Sequence, residues 1–242
     1  MSNYKGSNRC ILKLISSPDF IRDINSLIAD TGAAVSDKDT WLPKGEKEPK
    51  EAELFNFINS PITAQLGKEI QSWWLEVDTS NPRTPNWDLV STCTVNGKAG
   101  ILLVEAKAHE SELHDGGKRL ESDASENSRK NHERIRHAIM EANSEINKAV
   151  QGVSISRDKC YQLSNRVAHS WWLASHGIPV VLLYLGFLKA EDMRSSGYIV
   201  FDNPQDWEKC FMNHAKQVGV DNIINVSVDC GNSSFVTIVK SL

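Results

Sequence analysis

Two acids and a lysine flank a strong turn signal. Asp88 lies in residues 87–95 (WDLVSTCTV), Glu105 and Lys107 lie in residues 100–108 (GILLVEAKA), and Asn96-Gly97 separates the two segments. Both segments are rich in apolar and β-branched residues, and Asn-Gly between such runs is the strongest short-range hairpin signal. A two-residue turn pairs Val95 with Lys98, and counting outward sets Asp88 opposite Glu105. Directly opposed residues carry Cβ atoms about 4.5–5.5 Å apart. Side chains alternate along a strand, so Lys107 shares the face of Glu105, with Asn86 across from it. A bulge at Ala99-Gly100 would shift this register. Two opposed carboxylates repel one another, and a hard divalent cation relieves that repulsion. Mg²⁺ is commonly held by one or two carboxylates plus waters and phosphate oxygens. Such an ion polarises a phosphoryl oxygen and activates water. Lys107 beside it could orient that water or stabilise charge developing on phosphorus.

The flanking elements must hold this hairpin end in place. Residues 18–29 read as a short amphipathic helix with Phe20, Ile21, Ile24, Leu27 and Ile28 on one side. Residues 32–50 are polar and read as a loop, and 51–59 as a second helical piece. Ser60 and Pro61 fit the N-cap and first turn of a third helix running to about Leu75, and Asn81, Pro82 and Pro85 break the chain after it. Beyond the hairpin, residues 109–126 are polar, contain Gly116-Gly117 and read as a mobile loop. His109, Glu110, Glu112, His114 and Asp115 mix possible ligands there, and a flap is the preferred reading over a second metal centre. A long helix follows over 127–150 and another over 161–175. Residues 180–187 form an apolar run typical of a strand buried on both faces. The remainder offers a strand at 198–201, a helix over 204–218, and strands near 223–228 and 235–239. No linker interrupts these elements, so residues 1–242 read as one α/β domain.

Pro85, Asn86, Trp87 and Asp88, then Glu105-Ala106-Lys107 on a following apolar strand, resemble the PD-(D/E)XK nuclease superfamily. The order helix, hairpin, helix, strand matches that superfamily's core as well. The likeness covers about 51–187, leaving an N-terminal helical extension and a C-terminal α/β addition. One departure is that Pro85 and Asp88 are separated by Asn86-Trp87. The resemblance implies a restriction endonuclease-like three-layer core, a central mixed β-sheet flanked by helices. It implies a metal-dependent nuclease hydrolysing phosphodiester bonds, most readily in DNA. Asp88, Glu105 and the Ala106 carbonyl would hold Mg²⁺, with Mn²⁺ able to substitute, and Lys107 would assist the hydrolytic water. Many members add a glutamate from the preceding helix. Glu69 is the candidate here, with Glu53 as runner-up. Many relatives act as homodimers. Two rival readings remain: a degenerate member that binds nucleic acid or a protein without cutting, and a protein in which the three charges form only an ion-pair cluster.

Downstream, Gln162, Asn165, Arg166 and His169 fall on one helical stripe, with Leu163, Val167, Trp171 and Ala174 opposite. Gln162, Asn165 and Arg166 suit contacts to phosphate and sugar, and a glutamine at a similar place occurs in exonuclease-like branches of the superfamily. Arg129, Lys130, Arg134 and Arg136 face a single acid, Glu133, at the start of the 127–150 helix, just after Lys118 and Arg119. Arg129, Lys130 and His132 are candidate backbone contacts. His132-Glu133 does not begin a zincin motif, because the next histidine is His137, one position too far. No G-x-G-x-x-G, P-loop or G-x-S-x-G motif is present. The WW pairs Trp73-Trp74 and Trp171-Trp172 read as packing anchors.

Composition sets the outer limits. The chain has 242 residues, 40% hydrophobic and 24% charged, ordinary values for a folded protein. Five cysteines, with no CxxC pair, argue against a disulfide framework or a zinc knuckle and fit a cytoplasmic setting. The apolar run 178–188 is too short to span a bilayer, and no signal peptide is read at the N-terminus. The net charge of -4 would argue against a nucleic-acid partner if charge were spread evenly. Here part of the acidity is assigned to metal ligands, and basic residues gather over 118–136 and at Arg166. Binding without metal is then expected to be weak and strongly salt-dependent.

Overall fold

The Asn96-Gly97 turn sets the sheet. Both residues take positive φ, 49° and 78°, as a type I′ turn requires, and the right-handed twist of that turn matches the twist of paired strands. The computed structural model describes residues 4–54, 57, 64–77 and 84–242. In chain order its elements are α1 (Gly6–Ser16), α2 (Phe20–Ile28), β1 (Ala33–Ala34), β2 (Trp41–Leu42), β3 (Ala52–Glu53) and α3 (Ala64–Trp74). They continue with β4 (Asn86–Trp87), β5 (Leu89–Val95), β6 (Lys98–Lys107), α4 (Glu126–Ala149), α5 (Tyr161–Ser175) and β7 (Val180–Gly186). The chain closes with α6 (Glu191–Arg194), α7 (Pro204–Lys216), β8 (Ser227–Asp229) and β9 (Ser234–Ser241).

The central sheet is mixed, in the order β1-β5-β6-β7-β9-β8, with β2 also paired to β5. Hairpin β5–β6 is antiparallel and in the register expected from the turn, from Val95↔Lys98 to Leu89↔Val104, with no bulge at Ala99-Gly100. β7 runs parallel to β6 and sets Glu105 beside Tyr184 and Lys107 beside Gly186. A parallel partner requires a crossover, which α4 and α5 supply. One sheet face packs on α1 and α2 through Ile11, Phe20, Ile24, Leu102, Val104 and Leu183. The other packs on α3, α4, α5 and α7 through Trp74, Ile139, Val167, Leu103, Leu182 and Phe211. The result is a three-layer arrangement with a mixed sheet in the middle. At Gly186 a side chain is excluded, since a Cβ there would lie 2.4 Å from the Trp207 ring.

Several expectations are corrected. Residues 32–50 are not simply a loop, because β1 and β2 lie there and extend the sheet past β5. Ala52 and Glu53 are a strand paired to β4 rather than helix, although Leu54 and Phe57 are helical. The expected strand over 87–95 breaks at Asp88 into β4 and β5. Residues 198–201 make only isolated bridges, His109↔Val200 and Leu188↔Phe201, and a 3₁₀ turn occupies Val220–Ile223 ahead of β8. The sheet draws on strands outside residues 51–187 at both ends. Helix α1 adds an element beyond those expected. Ser60, Pro61, Asn81 and Pro82 lie outside the described residues. No helix among the described residues is long and apolar enough to cross a membrane.

The tryptophan pairs do act as anchors. Trp73 packs against Trp171 and Trp172, and His169 is wedged against Trp73 and Trp74 with ring centroids 5.3 and 4.3 Å apart. His169 is fully buried. Its Nδ1 lies 2.8 Å from the Asn165 carbonyl, and its Nε2 has no partner among the described residues. Burial holds its pKa down to about 3, against about 6.5 in an unfolded chain. The unfolded state therefore binds the extra proton first, and stability falls as pH drops from about 6.5 towards 3. His169→Phe should remove this component. The difference in unfolding free energy between wild type and variant, measured by denaturant titration, should change steadily across that window and be flat above it.

Candidate metal and nucleic-acid site

The site begins where the hairpin ladder stops. Beyond Leu89↔Val104 the chain turns away so that β4 can pair with β3. Continued pairing would have bonded the Ala106 N–H to the backbone of residue 87. Asp88 supplies the acceptor instead, its Oδ2 taking that hydrogen bond at 2.7 Å. The strand break thus fixes the carboxylate of Asp88 at the hairpin end. Glu105 and Lys107 follow on β6, on the sheet face covered by α5.

Glu105 is 2% exposed, Lys107 4% and Arg166 6%. Glu105 Oε1 accepts from Lys107 Nζ at 2.5 Å, and Oε2 accepts from Arg166 Nε at 2.7 Å. Arg166 also donates to the Asn86 carbonyl at 2.6 Å and to Asn165 Oδ1 at 3.0 Å, and its guanidinium lies 4.2 Å from the centre of the Trp87 ring. The Glu105 pKa is shifted below the usual carboxylate range. Burial alone would raise it, and the two neighbouring cations, Arg166 ahead of Lys107, outweigh that effect. Asp88 behaves oppositely. Desolvation first, then the charge of Glu105, pushes its pKa up to about 7. One carboxylate of the pair is saturated with cations, and the other is short of positive charge.

These residues fit a hard divalent ion. Two carboxylates lie near one hairpin end, and Asp88 is partly exposed there. Tyr184 stands beside Glu105 in register, and its hydroxyl is buried without a partner among the described residues. A water in an ion's inner shell would give that hydroxyl a partner. Each Glu105 oxygen already accepts one cationic donor, so a metal would take a remaining lone pair or displace Lys107 or Arg166. Among the helix candidates, Glu69 is exposed on α3. Glu53 lies on β3 opposite Asn86, with Oε1 accepting from the Thr84 N–H at 3.1 Å.

A cleft of about 790 Å³ adjoins the site, lined among others by Asn86, Lys118, Arg119, Gln162, Asn165 and Arg166. Gln162, Asn165 and Arg166 are thus together, as the stripe required. The stripe is not a solvated face, however, since α5 is buried all round from Leu163 to Ala174. Arg166 reaches inward to Glu105, a role that spacing along α5 could not reveal. Much of the basic stretch is spent on structure. Arg134 donates to the Ser72 and Trp73 carbonyls at the end of α3. Arg129 donates to the Ser122 and Ala124 carbonyls, and Lys130 pairs with Glu126. His132 lines the cleft, with its ring nitrogens at the Lys118 carbonyl and Arg157. Residues 109–126 are tethered rather than a free flap. Glu112 accepts from the Ala108 N–H and from Ser7, and the Asp115 carbonyl accepts from the Cys160 N–H.

Comparison with protein-family models, curated proteins and solved structures found no match for this chain. The functional reading therefore rests on the residues and their geometry.

Two outcomes follow for the metal-free protein. Arg166→Met strips Glu105 of one buried cation, and such breakage costs about 3–5 kcal/mol. Adding Glu105→Gln should recover part of that loss, read as coupling in a double-mutant cycle by denaturant unfolding. Asp88→Asn keeps an acceptor for the Ala106 N–H while removing the repulsion. It should raise the melting temperature above pH 7, where wild-type Asp88 carries its unfavourable charge.

Proposed function

We propose that this protein is a Mg²⁺-dependent phosphodiesterase acting on nucleic acid, most readily DNA. The observation carrying the proposal is the clustering of Asp88, Glu105 and Lys107 where the hairpin ladder ends, with Arg166 joining Glu105 to the neighbouring cleft. Asp88 and Glu105 would hold the ion, with the Ala106 carbonyl completing the set. Bound there, the ion would polarise a phosphoryl oxygen and lower the pKa of its water. Lys107, freed from Glu105, would donate hydrogen bonds that position the attacking water and steady charge on the phosphoryl oxygens. Arg166 would keep Glu105 ionised and oriented. Gln162, Asn165 and exposed Arg119 would hold phosphate and sugar groups along the cleft, fixing the strand without reading its sequence.

A second reading draws on the closure of Glu105. With both oxygens bonded to cations and almost no exposure, the same fold suits a protein that binds nucleic acid without cutting it. A cleavage assay over single- and double-stranded DNA and RNA, with Mg²⁺ or Mn²⁺, separates the two. The nuclease reading expects metal-dependent products, with Lys107→Ala and Asp88→Ala slower by about 10²–10⁴-fold. Undiminished cleavage in both variants would refute the mechanism. Binding without cleavage of any substrate would favour the second reading.

A further inference from the structure

A second group of ligand-type side chains stands apart from the Asp88–Glu105 pair. Asp115 comes from the loop after β6, Cys160 from the N-cap of α5, and His214 from the last turn of α7. His214 Nδ1 lies 2.8 Å from Asp115 Oδ1 and 3.9 Å from Cys160 Sγ, and the three ligand atoms lie within 4.8 Å of one another. Cys160 and His214 are buried, whereas Asp115 is exposed. The backbone already locks two of the three segments together through the Cys160 N–H and the Asp115 carbonyl, 2.8 Å apart.

The geometry argues against a thiol hydrolase. A nucleophile–histidine–acid relay uses both ring nitrogens, one for the nucleophile and one for the acid. Here Cys160 and Asp115 both approach Nδ1, and the thiol is inaccessible to a substrate. Convergence on one point is instead the pattern of metal ligands. Bond lengths of about 2.3 Å for Zn–S and about 2.0–2.2 Å for Zn–N and Zn–O place ligand atoms of a tetrahedral site about 3.5 Å apart. The contacts at 2.8 and 3.9 Å bracket that figure, and the third pair lies within 4.8 Å.

We propose that Asp115, Cys160 and His214 form a Zn²⁺ site, with a water in the fourth position on the solvent side of Asp115. A thiolate, an imidazole and a carboxylate together suit Zn²⁺ rather than Mg²⁺. Binding would release the Cys160 thiol proton to solvent as the S–Zn bond forms. The ion would tie the loop after Lys107 to the start of α5 and the end of α7, which both pack over the sheet. The site shares no ligand with the Asp88–Glu105 pair, so either can fail without the other.

Co²⁺ titration of the metal-stripped full chain reads the site directly. A thiolate-to-Co²⁺ charge-transfer band and strong tetrahedral d–d bands are expected at one equivalent. Zn²⁺ should abolish them by competition. Cys160→Ser should lose the charge-transfer band, and Asp115→Asn, an exposed position that should not disturb folding, should weaken Co²⁺ affinity at least tenfold. Asp88→Asn should leave the spectrum unchanged, which separates this ion from one at the hairpin end. Absence of the charge-transfer band in the folded wild-type protein, or identical titrations for wild type and Asp115→Asn, would overturn the proposal.

Discussion

A buried carboxylate held between two cations organises this molecule. Glu105 is buried near the end of β6 on the sheet face covered by helices, where an unpaired charge is untenable. Lys107 from the same strand and Arg166 from α5 each take one oxygen. Arg166 then reaches the β4 backbone and stacks on Trp87. One charge cluster thereby joins the hairpin, the crossover helix and the short strand that carries the chain into Asp88. Such a cluster confers little net stability compared with apolar packing. It does fix the position of α5 relative to the hairpin end, and with it the cleft wall formed by Gln162 and Asn165.

Function would use the same charges in a second arrangement. In the metal-free protein, Lys107 and Arg166 neutralise Glu105, and Asp88 takes a raised pKa. A divalent cation would satisfy both carboxylates at once and release Lys107 for the reaction. The lysine would then be a counter-ion in one state and a catalytic group in the other. This exchange would also reconcile a net charge of -4 with a nucleic-acid substrate. The repulsion between these acids and a phosphate backbone would be local, and an ion bound by the acids would remove it.

The hairpin was legible because its determinants are local. Asn96-Gly97 specifies the turn, and the turn specifies the register as far as Leu89↔Val104. The bounds of α5 and β7 were equally clear from periodicity and from an unbroken apolar run. What was not legible depends on distant partners. The break at Asp88 exists because β4 leaves β5 to pair with β3, more than thirty positions earlier in the chain. Arg166 belongs to Glu105 rather than to solvent because α5 is packed on every side. The pairing of β1 and β2 with β5 involves strands of two residues each, too short to leave a periodic signal. His214 meets Asp115 across 99 positions, beyond any spacing rule.

The central claim is that Asp88 and Glu105 share one divalent ion at the end of the hairpin. A crystal structure grown with Mn²⁺, read by anomalous scattering, tests it most directly. The account expects a peak between the two carboxylates, with Lys107 or Arg166 moved off one Glu105 oxygen. A well-ordered crystal with no peak there, and with Glu105 still held by both cations at saturating Mn²⁺, would contradict it.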